Sequence, residues 1–381
     1  MLESLKLAPL SLDLIPLMAQ KPLSAEAPKP LKMMAAKGAL PIPPDALIFV
    51  WYQLSFEPDP EIQETVKETV RTFDPALVVD LVQKDLHDIV IDWVSKVTDD
   101  EAVLEKIVLN QKTHDATIMD MAATASKNII EIIANNHVRL LRSPEIIEKI
   151  YNNPSTRMAI VDKLLNLAKE HNIEVPGLKS VQDAVNAGDI KDDKPGLSDE
   201  EFEQILKASC MQSEAEKPQG LENLRDTKSI EEQEASETAE ETQKRLSRSQ
   251  LIEKMNAPQR MRLALMGSRE DRTILLRDSR RVVYMSVIKS PKMSLGEVTS
   301  IASSKSMPDE VISYIATRRD WVRYYPIVVA LVNNPKCPLS ESVGFMKQLR
   351  VNDLKALQKS KAIPAQLARQ AQMLFKQKSA R

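Results

Sequence analysis

The stretch Ile315–Val343, IATRRDWVRYYPIVVALVNNPKCPLSESV, has a counterpart at Ile133–Ile160, IANNHVRLLRSPEIIEKIYNNPSTRMAI. Both begin Ile-Ala, reach a proline eleven residues on (Pro326, Pro144), run through a short apolar segment and stop at Asn-Asn-Pro. Weaker copies precede each one: VVYMSVIKSPKMSLGEV ends its first segment at Pro291, 44 residues before Pro335, and in VLEKIVLNQKTHDATI Gln111 lies 43 before Pro154. A period of this length belongs to stacked helical repeats. Proline has no N–H and pushes the residue before it out of the α region, so a helix ends at Asn-Pro, and proline then suits the first turn of the next helix. Asn tolerates the left-handed conformation that closes helices. Between these corners apolar residues recur at helical spacing, as in Ile327, Val328, Leu331 and Val332, and in Ile146, Ile147 and Ile150. Segments of this length are not stable alone and must bury their stripes against neighbours.

The rhythm from Val328 to Pro338 resembles HEAT and armadillo superhelical repeats, with punctuation most similar to the leucine-rich-repeat variant. The resemblance covers roughly residues 40–185 and 250–381 and implies an all-α solenoid of short stacked helices in two lobes. The layout is also similar to that of two-lobed bacterial repeat proteins. The iron–sulfur cluster of the variant family's founding member sits on a cysteine-rich segment; this chain has only Cys210 and Cys337, so no such cofactor is expected.

Composition narrows the class. The chain has 381 residues, of which 43% are hydrophobic and 28% charged, the balance of a globular protein long enough for two domains. Eight glycines, with no GxGxxG and no GxxxxGK[ST], leave no phosphate-cradling loop. Two cysteines 127 positions apart suit a reducing compartment. Glu3, Asp13, Pro9 and Pro16 interrupt any signal-peptide core, and no apolar run approaches the ~18 residues that span a bilayer. A cytoplasmic location is expected.

The chain divides into four parts. Residues 1–40 read as a flexible Pro/Leu-rich tail, although Leu5, Leu7, Leu10, Leu12, Leu14, Ile15 and Leu17 are also an anchor for docking on a partner or back on the repeats. Residues 41–186 read as an N-terminal repeat lobe, with Asp59, Asp74, Asp99 and Ser143 at N-cap positions. Residues 187–248 read as an acidic disordered linker, too poor in apolar residues to offset ordering entropy. Within it Ser198 and Glu201 form a capping-box signature for a short helix at 198–211, a candidate docking peptide. The Arg245–Ser249 run is a candidate kinase target. Residues 249–381 read as a basic C-terminal repeat lobe.

Charge carries the functional hint. The net charge of −2 hides +15 over residues 246–381, −9 over 189–245 and −8 over the rest. Arg269, Arg272, Arg277, Arg280 and Arg281 crowd one helical unit, and Arg318, Arg319 and Arg323 sit one period on. Side by side in stacked repeats they make a stripe for carboxylate or phosphate. His87, His114, His137 and His171 lack metal-ligand spacing, so no metal site is expected. Asp92-Trp93 and Asp320-Trp321 invite comparison with HEAT-like DNA glycosylases, but Trp321 reads better as a wedge between repeats. The expectation is a non-enzymatic scaffold or adaptor without cofactor, whose basic lobe recognises an acidic protein surface. The alternative is a nucleic-acid-binding repeat module using the same arginines, against which stands an aromatic content of 4%.

Overall fold

The computed structural model describes residues 5, 7–24, 26–83, 86–187, 195–215, 229–230, 233, 239–360 and 363–379. Among them the secondary structure is helical throughout, in many short stacked helices, with no strand. The chain falls into two compact units, Met1–Leu178 and Lys179–Arg381.

The first unit contains α1 (Leu17–Gln20), α2 (Lys29–Ala36), α3 (Pro44–Leu54), α4 (Pro60–Thr72), α5 (Pro75–Gln83), α6 (Asp88–Val97), α7 (Glu101–Leu109), α8 (Asp115–Thr124), α9 (Lys127–Asn135), α10 (His137–Arg142), α11 (Glu145–Asn152) and α12 (Met158–Glu170). Helices pack on the next but one or beyond: α5 on α7, α7 on α9, α6 on α8 and α8 on α11. Their apolar stripes fill the interface, with Ile107, Ile118, Ile130, Ile133, Ile146 and Ile150 all buried. N-terminal prolines and side-chain caps start many of the helices. Asp59 accepts from the Glu61 N–H at 3.0 Å, while His87 and His114 use Nδ1 to accept from Ile89 and Ala116 at 3.3 and 3.2 Å. Two expected caps differ: α7 is capped by Asp100, one residue after Asp99, and the Ser143 hydroxyl donates to Asp115 at 2.5 Å instead of capping α11.

The second unit contains α13 (Lys179–Ala187), α14 (Asp199–Ala215), α15 (Ala239–Lys254), α16 (Ala257–Met266), α17 (Arg269–Leu275), α18 (Arg281–Ile288), α19 (Leu295–Ser303), α20 (Asp309–Thr317), α21 (Arg319–Val322), α22 (Tyr325–Asn333), α23 (Leu339–Met346), α24 (Val351–Leu357) and α25 (Ala365–Ser379). Here α16 packs on α18, α19 on α22, and α25 on both α23 and α24.

The asparagines of the repeat do more than end helices. Asn153 and Asn334 have extended backbones (φ −84°, ψ 118°; φ −89°, ψ 121°), not the left-handed conformation expected for them. The Asn153 side-chain amide donates to Ala122 O at 2.9 Å and Ala125 O at 3.1 Å, at the end of α8. Asn334 repeats this, donating to Ala302 O at 2.8 Å and Ser304 O at 2.9 Å, at the end of α19. Each side-chain oxygen accepts the N–H two residues on, from Ser155 at 2.9 Å and Lys336 at 3.0 Å. The weaker copies follow suit: Asn110 donates to Val82 O at 2.7 Å and Ser290 to Leu265 O at 3.1 Å. Helix C-termini leave carbonyls without intrahelical partners. One polar side chain per repeat supplies the donors and staples one helix end to a helix about 25–32 residues earlier.

Three segments differ from the sequence expectations. The described part of the 1–40 tail lies against α3 instead of standing free: Leu10, Ile15 and Ala19 are buried, Tyr52 donates to Ala8 O at 2.6 Å, and Trp51 donates to Ala35 O at 3.2 Å. Lys179–Ala187, expected to close the first lobe, packs through Val181 and Ala184 against α18 in the second unit. In the 187–248 segment, α14 starts at the Ser198/Glu201 capping box and buries Phe202, Leu206 and Ser209, with α16 alongside. Gly196, at φ +74°, makes the turn that lets Leu197 exchange hydrogen bonds with Gln259 at 3.1 and 2.8 Å. Residues 188–194, 216–228, 231–232 and 234–238 of the expected linker lie outside the described residues.

Candidate functional site

The eight candidate arginines separate into distinct environments. Arg272 leaves the stripe: it is 2% exposed, its Nε donates to Glu297 Oε1 at 2.8 Å and another nitrogen donates to Gly267 O at 2.8 Å. The guanidinium satisfies an internal carboxylate and a helix-end carbonyl, so it is part of the framework. Arg269 stands half-buried at the start of α17. Arg277 is exposed and lines a cleft of about 800 Å³ with Arg245, Lys254, Arg260 and Asp278. Arg260 there pairs with Asp278 at 2.8 Å, and Asp278 also accepts the Arg280 N–H at 2.8 Å.

Arg281 and Arg318 flank one face of α20. Arg281 pairs with Glu310 at 2.6 Å, and the Tyr284 hydroxyl donates to the same carboxylate at 3.3 Å. Burial, with the Glu310 charge beside it, pushes the Tyr284 phenol up. Glu310 and Tyr314 are one turn apart on α20 and share its face. The Arg318 guanidinium lies 5.7 Å from the Tyr314 ring centroid and 5.6 Å from that of Trp321, and Lys289 lies 5.9 Å from Tyr314. The two rings meet edge to face at 6.0 Å and 73°. Arg323 pairs with Asp320 at 3.1 Å, while exposed Arg319 has no polar partner among the described residues. Trp321 is therefore a half-exposed ring in this cluster and not a wedge between repeats; α21 has no buried residue.

Lys289, Tyr284 and Tyr314 belong to this surface and were not singled out from sequence. The spacing Tyr314, Arg318 and Trp321 at i, i+4 and i+7 is visible in the sequence, but the structure brings the three together across the corner at Arg318 between α20 and α21, not on one continuous helix. A second stack follows on α22: Arg350 lies 4.7 Å from the Tyr325 centroid, and the Tyr325 hydroxyl donates to Asp353.

Two acidic residues of the first unit, Asp92 of the Asp-Trp pair and Asp115, are internal. Asp92 is fully buried and accepts from Thr117 at 2.8 Å and Lys96 at 2.9 Å; Trp93 packs edge-on against Tyr52 at 5.7 Å. No large substrate reaches that pair. Asp115 accepts two hydrogen bonds from Arg142, at 2.8 and 2.5 Å, and one from Ser143, with Arg139 at 3.4 Å. Burial opposes its ionisation, but the hydrogen bonds from Arg142 and Ser143 and the charges of both arginines hold the carboxyl below its ordinary value. Burial pushes the Cys337 thiol up, which makes it a poor nucleophile. Among the described residues no group of His, Cys, Asp and Glu is arranged to hold a metal ion, and no helix is long and apolar enough to cross a membrane.

No family model and no curated protein matches the chain. Among solved structures it is similar to an engineered protein crystallised by the Northeast Structural Genomics Consortium, at 14% identity over 94% of this chain and 98% of that one. The TM-score of that match is 0.24.

Proposed function

We propose that the chain is a two-lobed α-solenoid of HEAT/armadillo type that works in the cytoplasm as a non-enzymatic scaffold or adaptor. Its basic C-terminal unit takes an acidic protein surface. The polar staples at Asn110, Asn153, Ser290 and Asn334 support the repeat reading, since the same bond recurs at the 43–44-residue period.

The observation that carries the functional reading is the Tyr314–Arg318–Trp321 cluster, with Lys289 over one ring and Arg319 uncommitted beside it. Tyr, Trp and Arg dominate binding hot spots because a rigid ring offers large area at low entropy cost and a guanidinium fork matches carboxylates. A ring face already held by an arginine presents cation and apolar surface together, which suits an acidic segment with bulky side chains. The same stacks favour a second reading, single-stranded nucleic acid laid along the arginines with bases on Trp321 and Tyr314.

The test uses the full chain. Binding of a fluorescent polyglutamate peptide and of an oligonucleotide of matched charge is titrated from 50 to 300 mM salt, with Arg318→Glu/Arg319→Glu as comparison. Peptide binding lost in the double variant supports the scaffold reading; oligonucleotide binding alone, with a steep salt slope, replaces it by the second. Neither ligand binding at 50 mM salt removes both.

A further inference from the structure

The cleft of about 800 Å³ lies between the C-terminal half of α15 and the corner that follows α17. Arg260 sets its frame. The guanidinium pairs with Asp278 at 2.8 Å and donates to Met255 O at 3.0 Å and Glu253 O at 3.2 Å, so it ties the end of α15 to the corner. Asp278 is held from its other oxygen by the Arg280 N–H at 2.8 Å. Carbonyls at a helix C-terminus disfavour an anion, and Arg260 covers two of them here. Buried Ile252 and Leu275, with half-buried Ile274, give the cleft an apolar wall.

Four polar groups of the lining are not committed to the fold. Ser249, Gln250 and Lys254 on α15 and Ser279 on the corner make no side-chain hydrogen bond or ion pair among the described residues. Two hydroxyls, an amide and an ammonium thus converge on one space from two elements, with the Arg245 and Arg277 guanidiniums in the same lining. The described lining sets Arg245, Lys254, Arg260 and Arg277 against Glu253 and Asp278, four cations to two carboxylates, which leaves +2. A phosphomonoester carries close to two negative charges at neutral pH on three acceptor oxygens, and guanidinium forks, ammonium and hydroxyls are the donors that match it. A cleft of this volume also has room for the organic part of a small molecule.

We infer that this cleft binds a small phosphomonoester, with the phosphoryl group on Lys254, Arg277, Ser249 and Ser279 and the organic part against Ile252, Ile274 and Leu275. The site stands apart in the chain from the arginine–aromatic cluster of α20 and α21, and it does not rest on the reading of that cluster. It gives Arg277, which the sequence groups with the stripe, a separate task.

The experiment titrates the full chain with phenyl phosphate, inorganic phosphate and benzoate at pH 7.5 and low salt, read by ligand-observed NMR. Phenyl phosphate is expected to bind with a Kd of about 1 mM or below, roughly tenfold tighter than inorganic phosphate, which lacks the ring, and than benzoate, which has the ring but one charge. Lys254→Ala and Arg277→Ala each weaken it by roughly tenfold, as for a lost hydrogen bond to a charged group, while Arg318→Glu/Arg319→Glu leaves it unchanged. Lys254 and Arg277 are both exposed, so the variants keep the fold, which an unaltered urea midpoint checks. Equal affinity for phenyl phosphate and benzoate, binding indifferent to Lys254 and Arg277, or no binding of phenyl phosphate at about 10 mM, tenfold above the expected Kd, overturns the inference. Binding lost in Arg318→Glu/Arg319→Glu but kept in the two cleft variants places the anion on the cluster and also overturns the cleft site, leaving the reading of the cluster intact.

Discussion

Asn334→Ala tests the polar staple that repeats along the chain. The substitution removes two donated hydrogen bonds, to Ala302 O and Ser304 O at 2.8 and 2.9 Å, and one accepted from the Lys336 N–H at 3.0 Å, all at a residue 2% exposed. Each buried group left without a partner costs about 1–3 kcal/mol, so with partial relaxation the loss is about 3 kcal/mol. Urea unfolding followed by fluorescence reports the units separately, because Trp51 and Trp93 lie in the first and Trp321 in the second. With a slope of about 3 kcal/mol per molar, the second unit's midpoint falls by about 1 M at unchanged slope. Asn333→Ala, at the exposed neighbour of the same Asn-Asn-Pro, is the control and shifts stability by less than ~0.5 kcal/mol. Asn334→Asp keeps the volume and the acceptor but turns a carboxylate toward two carbonyls, so it costs at least as much as alanine. If Asn334→Ala matches Asn333→Ala, or if aspartate is tolerated, donation to the preceding helix end is not what holds the repeats in register.

Two other perturbations follow from buried charges. Arg272→Ala leaves Glu297 buried without its partner and destabilises the second unit by about 3–5 kcal/mol, while Arg319→Ala on the surface changes its urea midpoint negligibly. Asp115 has a folded pKa below its unfolded value of about 3.9, so its stabilisation is present above that value and fades as pH falls from there through the lower folded pKa. Asp115→Asn therefore lowers first-unit stability at pH 7, and the gap between variant and unaltered chain narrows in acid; a gap independent of pH from 7 to 2 refutes the assignment.

Much of the fold is legible in the residues. Prolines after short apolar runs end and restart helices by local sterics alone, so the all-helical class and the 43–44-residue period need no tertiary information. The Ser198/Glu201 capping box is equally local and appears in the structure as read. Side chains that act across the fold are another matter. Asn-Asn-Pro identifies a corner, yet only the packing of α22 against α19 shows that Asn334 donates to carbonyls 30 and 32 residues earlier. Arg269 and Arg272 look alike in sequence; burial against Glu297 takes the second out of any binding surface. The Ile230 N–H likewise donates to Ser304 Oγ, 74 residues further along the chain. What the chain determined by itself was where helices break, because that depends on neighbours in sequence. The tertiary structure decided which polar and charged side chains are consumed holding one helix to the next and which remain for a partner, because that depends on burial and on groups far along the chain.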